Sequence, residues 1–446
     1  MKKVIFRTFL LGMLSLLGIS AWATPDYLCF TANEDNVELW LEKHGTPTAV
    51  KIQYSTDGCT SWTTVDFATA TKTGTINLDK GEKVYFRNAS DGMTKFSTSS
   101  SDFYWFRMWG SISASGNLMS LVDKSCTTKT IPCEYCFYGL FTSCVDLTTP
   151  PELPATTLAN YCYSELFYKC LRLEYAPELP ATTLVEGCYN TMFPGSPLVS
   201  YIKVGFTEWA DDDEYATDWW AGFASRGIFV CPETLPKEYG RNRIPEGWSV
   251  NCYDLGISST CGWASMYLPC AVSIPEGVEA YYASAVNGGK ITLKKVEGNK
   301  LAPKTAVIVK SSGNVKFTLL DEEVAPISGN LFQGEVGDVE KNSKIPYAEK
   351  CYVLNPSTST PASPVFSEYT GYMLDALKVY LTESALGSSV KQISFEFEDE
   401  ATSIDRVDVQ QSAAGNPQPS YNLSGMRVDS NYKGIVVENG KKVLKK

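Results

Sequence analysis

The sequence predicts a multidomain, mainly β protein arranged around a short internal repeat. Three observations carry this expectation. Apolar and polar residues alternate in short runs separated by turn dipeptides, the period expected of half-buried strands. The octapeptide Pro151-Glu-Leu-Pro-Ala-Thr-Thr-Leu158 recurs as Pro177 to Leu184, a step of 26 residues. The chain has 446 residues, 44% hydrophobic and 20% charged, a globular composition long enough for about three domains.

The chain begins with a segment that reads as a secretory signal, residues 1–23. Lys2, Lys3 and Arg7 form its positive end, Phe9 to Ile19 its apolar stretch, and Ala21-Trp22-Ala23 a small-x-small cleavage site. That apolar stretch is too short to cross a hydrocarbon core of roughly 30 Å as a helix. Loss of Lys2, Lys3 and Arg7 takes the net charge from −11 to −14. No later segment is apolar enough to predict a membrane span. An exported protein, extracellular or at the cell surface, is expected.

Residues 24–109 read as a small Ig-like β-sandwich. Val37–Leu41, Val50–Tyr54 and Lys83–Arg87 alternate, and Asp57-Gly58 and Lys80-Gly81 punctuate them. Spacer and ligand-binding module are both open readings of this part.

The repeat occupies the centre. The 26-residue step also relates Cys136, Cys162 and Cys188, then Phe141, Phe167 and Phe193, then Leu147, Leu173 and Val199. Three units follow, at about 125–150, 151–176 and 177–202. In each, a threonine such as Thr156 or Thr157 is placed to cap a helix with inward face Leu158, Cys162, Leu166 and Phe167. Leu171–Leu173 is expected as a short strand, ended by Pro177. Four buried apolar groups supply about 6–12 kcal/mol at about 1.5–3 each. Ordering the unit costs about 1–2 kcal/mol per residue, so units must stack and be capped.

Fourteen cysteines all follow the signal segment. On a helix, Cys162 and Cys170 would lie about 12 Å apart, beyond disulfide reach, so buried free thiols are expected for the repeat. Cys133-x-x-Cys136 lacks a second pair and a βαβ context, so neither zinc nor redox chemistry is predicted for it.

The run Pro-Glu-Leu-Pro-Ala-Thr-Thr-Leu-x-x-x-Cys-Tyr resembles the BspA-like leucine-rich repeats of Bacteroidetes surface proteins. Gly116-Asn-Leu-Met-Ser-Leu121 is similar to the lead-in of such an array. Gly227-Ile-Phe-Val-Cys-Pro232 and Ile244-Pro-Glu-Gly-Trp248 are similar to its closing segment. The resemblance implies a short α/β leucine-rich-repeat solenoid with caps over 110–254. It also implies adhesion to host extracellular-matrix or cell-surface proteins, or to other bacterial cells. Ser196, Pro194 and Pro197 mark the third unit as terminal.

Asp211-Asp212-Asp213-Glu214 suits a solvated loop or a calcium ligand set, without EF-hand spacing. Trp219-Trp220 either covers the end of a core or contacts a ligand such as a sugar ring. Residues 255–399 read as a β-rich domain through Met266–Cys270, Ile274–Val278, Lys290–Lys294, Thr305–Lys310 and Lys378–Leu381. It is similar to a module near the C-terminus of secreted Bacteroidetes proteins. Residues 400–446 comprise a polar linker, Ala401–Pro419, and a terminal hairpin turning at Asn439-Gly440. The hairpin resembles the end of type IX secretion signals; a sorting tail and a plain hairpin are both open.

Function is bounded by what is missing. Thirty-nine Lys+Arg against fifty Asp+Glu give no basic surplus for nucleic acid. His44 is the one histidine, which removes zincin motifs and most imidazole chemistry, and no Gly-x-Ser-x-Gly elbow occurs. A glycosidase needs only two carboxylates, but nothing singles out a pair. The expectation is a non-catalytic binding protein without cofactor or metal. A carbohydrate-binding surface protein is the alternative, and a secreted hydrolase is more remote.

Overall fold

The computed structural model describes residues 26–209, 218–287, 289–341, 349–356, 364–387, 390–398, 420–422, 427–428, 434–438 and 441–445. The signal segment, the Asp211–Glu214 run, the Ala401–Pro419 linker and the Asn439-Gly440 turn lie outside them. The protein is mainly β, with several sheets. Helix in the described residues comes in pieces of about one turn, such as Leu118–Leu121 and Glu383–Leu386.

The N-terminal strands are β1 (Leu28–Ala32), β2 (Val37–His44), β3 (Lys51–Ser55), β4 (Thr63–Asp66), β5 (Ile76–Leu78), β6 (Lys83–Asn88), β7 (Phe103–Trp109) and β8 (Ile112–Ser115). They form two sheets, ordered β4-β3-β6-β1-β8 and β5-β2-β7. Alternation explains them: Val37, Leu39 and Leu41 point inward, and Phe30, Phe86 and Phe106 meet between the sheets at ring distances of 4.8–5.8 Å.

The first sheet does not stop at β8. Strand β9 (Leu147–Thr149) joins it in parallel, and the Phe106 N–H bonds the Leu140 carbonyl at 2.7 Å. The repeats therefore grow directly from the N-terminal sheets, and one buried cluster runs from Leu28 to Trp248.

The expected helices are absent. Residues 135–144, 161–170 and 187–196 are successive turns, with left-handed backbone at every fourth residue: Tyr135, Gly139 and Ser143; Tyr161, Glu165 and Lys169; Gly187, Thr191 and Gly195. The hydrogen bonds explain the form. The N–H groups of Tyr161, Tyr163, Glu165, Phe167 and Lys169 cross to the carbonyls of Glu186, Cys188, Asn190, Met192 and Pro194 in the next coil. Those of Cys162, Ser164, Leu166, Tyr168 and Cys170 close turns onto residues three back. Each coil thus donates half its amides along the stack, which an α-helix cannot do. Left-handed non-glycine residues cost roughly 1–2 kcal/mol each, and this bonding offsets that cost.

Side chains repeat in register. Phe106, Phe141, Phe167 and Phe193 stack at 5.4–5.5 Å, and Phe137, Tyr163 and Tyr189 stack at 5.9 and 6.2 Å. Cys144, Cys170 and Ser196 point their side-chain donors at the carbonyls of Phe106, Phe141 and Phe167, at 3.2, 3.2 and 3.3 Å. Ser196 thus does in the third coil what cysteine does in the others.

Two further expectations change. The third coil is not terminal, because the Phe193 and Gly195 N–H groups bond to the Trp219 and Ala221 carbonyls of another coil. Leu171–Leu173 is not a strand; a single bond from the Glu174 N–H to the Thr148 carbonyl links that coil to β9. Beyond it, β10 (Tyr201–Lys203), β11 (Ile228–Val230) and β12 (Ser249–Val250) form a parallel sheet.

Residues 252–398 form sheets that are antiparallel except where Phe395–Phe397 joins Lys290–Lys295 in parallel, around three smaller clusters. Strands Lys290–Lys295, Val307–Lys310 and Lys378–Thr382 match expected runs. Two expected strands are displaced: Trp263–Met266 precedes the Met266–Cys270 run, and Val272–Ser273 precedes Ile274–Val278, which is mostly turn. By itself, the C-terminal unit is a four-stranded antiparallel sheet rather than a lone hairpin: Gly434–Glu438 pairs with Ser420–Asn422 and with Lys441–Lys445.

Candidate interaction face

Burial settles which sides of the stack are open. The β10–β11 side is covered by the region that follows it: Ala224 and Ile228 belong to that region's core, Tyr201 packs on it, and Lys304 pairs with Glu174. Asp338 accepts from the Ser225 N–H and hydroxyl at 2.6 and 2.9 Å.

The outer face of β2 and β7 stays open. Antiparallel register places Glu38 opposite Trp109, Trp40 opposite Arg107, Glu42 opposite Trp105, and His44 opposite Phe103. Because Leu39, Leu41, Tyr104 and Phe106 fill the core, alternation turns Glu38, Trp40, Glu42, His44, Trp105, Arg107 and Trp109 outward, while Phe103 is buried beneath its neighbours. The result is a plane of indoles interleaved with charges. The Arg107 guanidinium lies 4.4 Å over Trp105 and the Lys72 ammonium 5.4 Å over Trp40. The Trp40 indole N–H donates to the Glu42 carboxylate at 2.8 Å. The Trp105 indole nitrogen is buried and has no hydrogen-bond partner. Trp109 is 73% exposed.

The face continues onto the coils. Phe103 contacts His44 at 4.9 Å and Tyr138 at 5.2 Å, and Tyr138 approaches Tyr135 at 5.9 Å. Tyr135 and Tyr161 stack at 4.8 Å. The next position on that rung is Gly187, where a Cβ would sit 2.2 Å from the Tyr161 ring, so glycine makes room for the ring. Tyr138 and Tyr161 donate to the carboxylates of Glu165 and Glu186 at 2.7 and 2.8 Å. Burial, followed by the Glu165 bond, pushes the Tyr138 phenol well above its ordinary value, so it stays a donor at physiological pH.

These rings are held rigid by cation–π and carboxylate contacts and lose little entropy on binding. Tryptophan, tyrosine and arginine supply most interface hot spots. Among the described residues no group of three or more His, Cys, Asp or Glu is placed to hold a metal. None of their helices is long and apolar enough to cross a membrane.

The tryptophans singled out in the sequence sit elsewhere. Trp219 is 1% exposed, wedged against Phe206 and Phe229, so its ring cannot meet a ligand. Trp220 is half-buried on the same core. Both close the end of the stack. Sequence reasoning passed over Trp40, Trp105 and Trp109, although the alternation Trp105-Phe-Arg107-Met-Trp109 already announced one aromatic, cationic strand face.

All fourteen cysteines are free thiols, and nine of them are buried. No family model, curated protein or solved structure matches the chain.

Proposed function

We propose that this is an exported, non-catalytic binding protein of the BspA-like leucine-rich-repeat type. On this reading the N-terminal sheets are an Ig-like sandwich, the stacked coils a capped leucine-rich-repeat solenoid, and the terminal sheet a sorting-type tail. Its partners are host extracellular-matrix or cell-surface proteins, or neighbouring bacterial cells. The observation that carries the binding role is the aromatic and charged face that runs from Trp109 past Trp40 and Trp105 to Tyr138 and Tyr161. Mixed indole, phenol, guanidinium and carboxylate groups suit a protein surface better than a sugar. The ring faces at Trp40 and Trp105 carry cations, and Tyr135 and Tyr161 cover each other.

The test is saturable binding of the mature chain to immobilised matrix proteins, mucins and whole cells. Trp109→Ala, Arg107→Ala or both should weaken binding roughly tenfold or more while leaving stability within about 0.5 kcal/mol. Tyr372→Ala, at a ring that is also largely exposed but lies in the following region, should leave affinity unchanged. Absence of any saturable binder, or equal losses at Tyr372 and Trp109, overturns the reading. Carbohydrate recognition is the second reading, favoured by the open Trp109 ring; selective binding on a glycan array, lost in Trp109→Ala, would select it.

A further inference from the structure

Cys133 and Cys136 belong to the first coil. In the second and third coils, Ala159 and Val185 occupy the position of Cys133, and their carbonyls accept from the Cys162 and Cys188 N–H groups at 3.2 and 3.1 Å. Such turns hold their first and fourth Cα atoms within about 7 Å, a span that overlaps the roughly 4.4–6.8 Å a disulfide bridges. The first coil follows the same path, since Tyr135 and Phe137 bond to Asn160 and Cys162 of the second at 2.9 Å each.

The sulfurs converge as well. The two side chains are close enough to bias each other, Cys133 downward and Cys136 upward. Cys133 Sγ also lies 3.3 Å from the Ser97 carbonyl, while the Ser97 N–H bonds the Cys136 carbonyl at 3.0 Å. Cys133 is half-buried and reachable; Cys136 is fully buried behind it. A half-buried, reachable sulfur in front of a sheltered one is the arrangement of an attacking and a resolving thiol.

We propose that Cys133 and Cys136 form a redox-active dithiol that an incoming disulfide converts to an intramolecular bond. Cys133 sheds its proton, and the thiolate attacks the incoming disulfide, forming a mixed disulfide and releasing one thiolate that takes up that proton. The Cys136 sulfur then attacks Cys133, passes its proton to the departing thiolate and closes the ring. The protein loses two electrons and two protons, and the incoming disulfide becomes two thiols.

Electrostatics reinforce the geometry. The Cys136 side chain, helped by the Phe96 backbone and the Lys95 charge, draws the Cys133 thiol below its ordinary value against its own desolvation. A thiol near ambient pH is the best placed for exchange. Burial pushes other thiols the opposite way, with Cys126, Cys144, Cys188 and Cys270 each at about 12.

The test uses the reduced mature chain and oxidised glutathione at pH 7, read by intact mass and peptide mapping. The Cys133–Cys136 bond should form before any other, and Cys136→Ser should hold one glutathione on Cys133. Iodoacetamide at pH 7 should label Cys133 roughly tenfold faster than other thiols. Cys133→Ala, which installs the residue of the second coil, should abolish that fast phase without lowering the melting temperature. Formation of another pair first, or labelling kinetics unchanged by Cys133→Ala, overturns the proposal, and the labelling arm stands even if Cys136→Ser fails to fold.

Discussion

The stacked coils and the β region after them reach stability by different routes. In the stack, residues 26 apart share equivalent neighbours, amides cross from coil to coil, and one core joins Leu28 to Trp248. In residues 252–398, hairpins such as Glu279–Asn287 with Lys290–Lys295 are joined by pairs far apart in sequence, such as Cys252–Leu255 with Val315–Leu319, and the apolar groups divide into separate clusters. Coil-to-coil bonding makes each unit depend on the next, whereas separate apolar clusters confine a loss to the sheets that share one of them. The first design yields one long cooperative body, the second a set of smaller ones.

Removing a ring from each is the strongest way to break that contrast. Phe167→Ala should cost about 3–5 kcal/mol and raise amide exchange on both sides, from the N-terminal sheets to Trp248. Phe366→Ala, buried to the same degree, should cost a similar amount but loosen only the two sheets that share its cluster, those built on Cys351–Pro356 and on Glu279–Asn287. Equal spread of exchange in the two variants would refute the distinction.

Alkali should separate the regions next. Burial pushes the Cys144 and Cys188 thiols up to about 12 from 9, and it raises Cys162 and Cys170 too. A folded value above the unfolded one means the native state keeps protons that the unfolded chain releases. The stabilising difference is therefore whole below pH 9 and disappears as pH rises through 12. The stack should lose on the order of a few kcal/mol over that window, measured by denaturant midpoints. Cys170→Ala should cost about 1–3 kcal/mol through the lost thiol and its bond to the Phe141 carbonyl, while Cys170→Ser should cost less than about 1. Ser196 already fills that role one coil on. Smallest of all, Thr191→Asn should raise stability by about 0.5 kcal/mol, because a β-branched residue at φ 45° is strained where asparagine is tolerated. A loss of stability there would mean the threonine makes a compensating contact.

Much of the architecture was legible. The N-terminal strands announced themselves by alternation, and the unit length by a repeated octapeptide. The helix expectation failed for an instructive reason. Leu158, Cys162 and Leu166 are four apart, the spacing of one helical face, but turns that reverse hand every fourth residue share that spacing. What periodicity does not record is where the amides go. A hint lay in composition, since the coils are rich in Tyr, Cys, Thr, Asn, Ser and Gly, all modest or poor helix formers. The interaction face was less legible because Trp40 and Trp109 meet only through the pairing of β2 with β7, whereas Trp219 and Trp220 were conspicuous simply by adjacency.

The ladder of bonds between coils carries a lesson about size. Each coil receives from its predecessor the same donors that it passes onward, so the two ends never sense how many coils lie between them. Copying residues 151–176 into the chain should lengthen the body by one strand spacing, about 4.8 Å, and leave both termini of the array undisturbed. Reach, in this protein, is a quantity that gene duplication can adjust in whole steps.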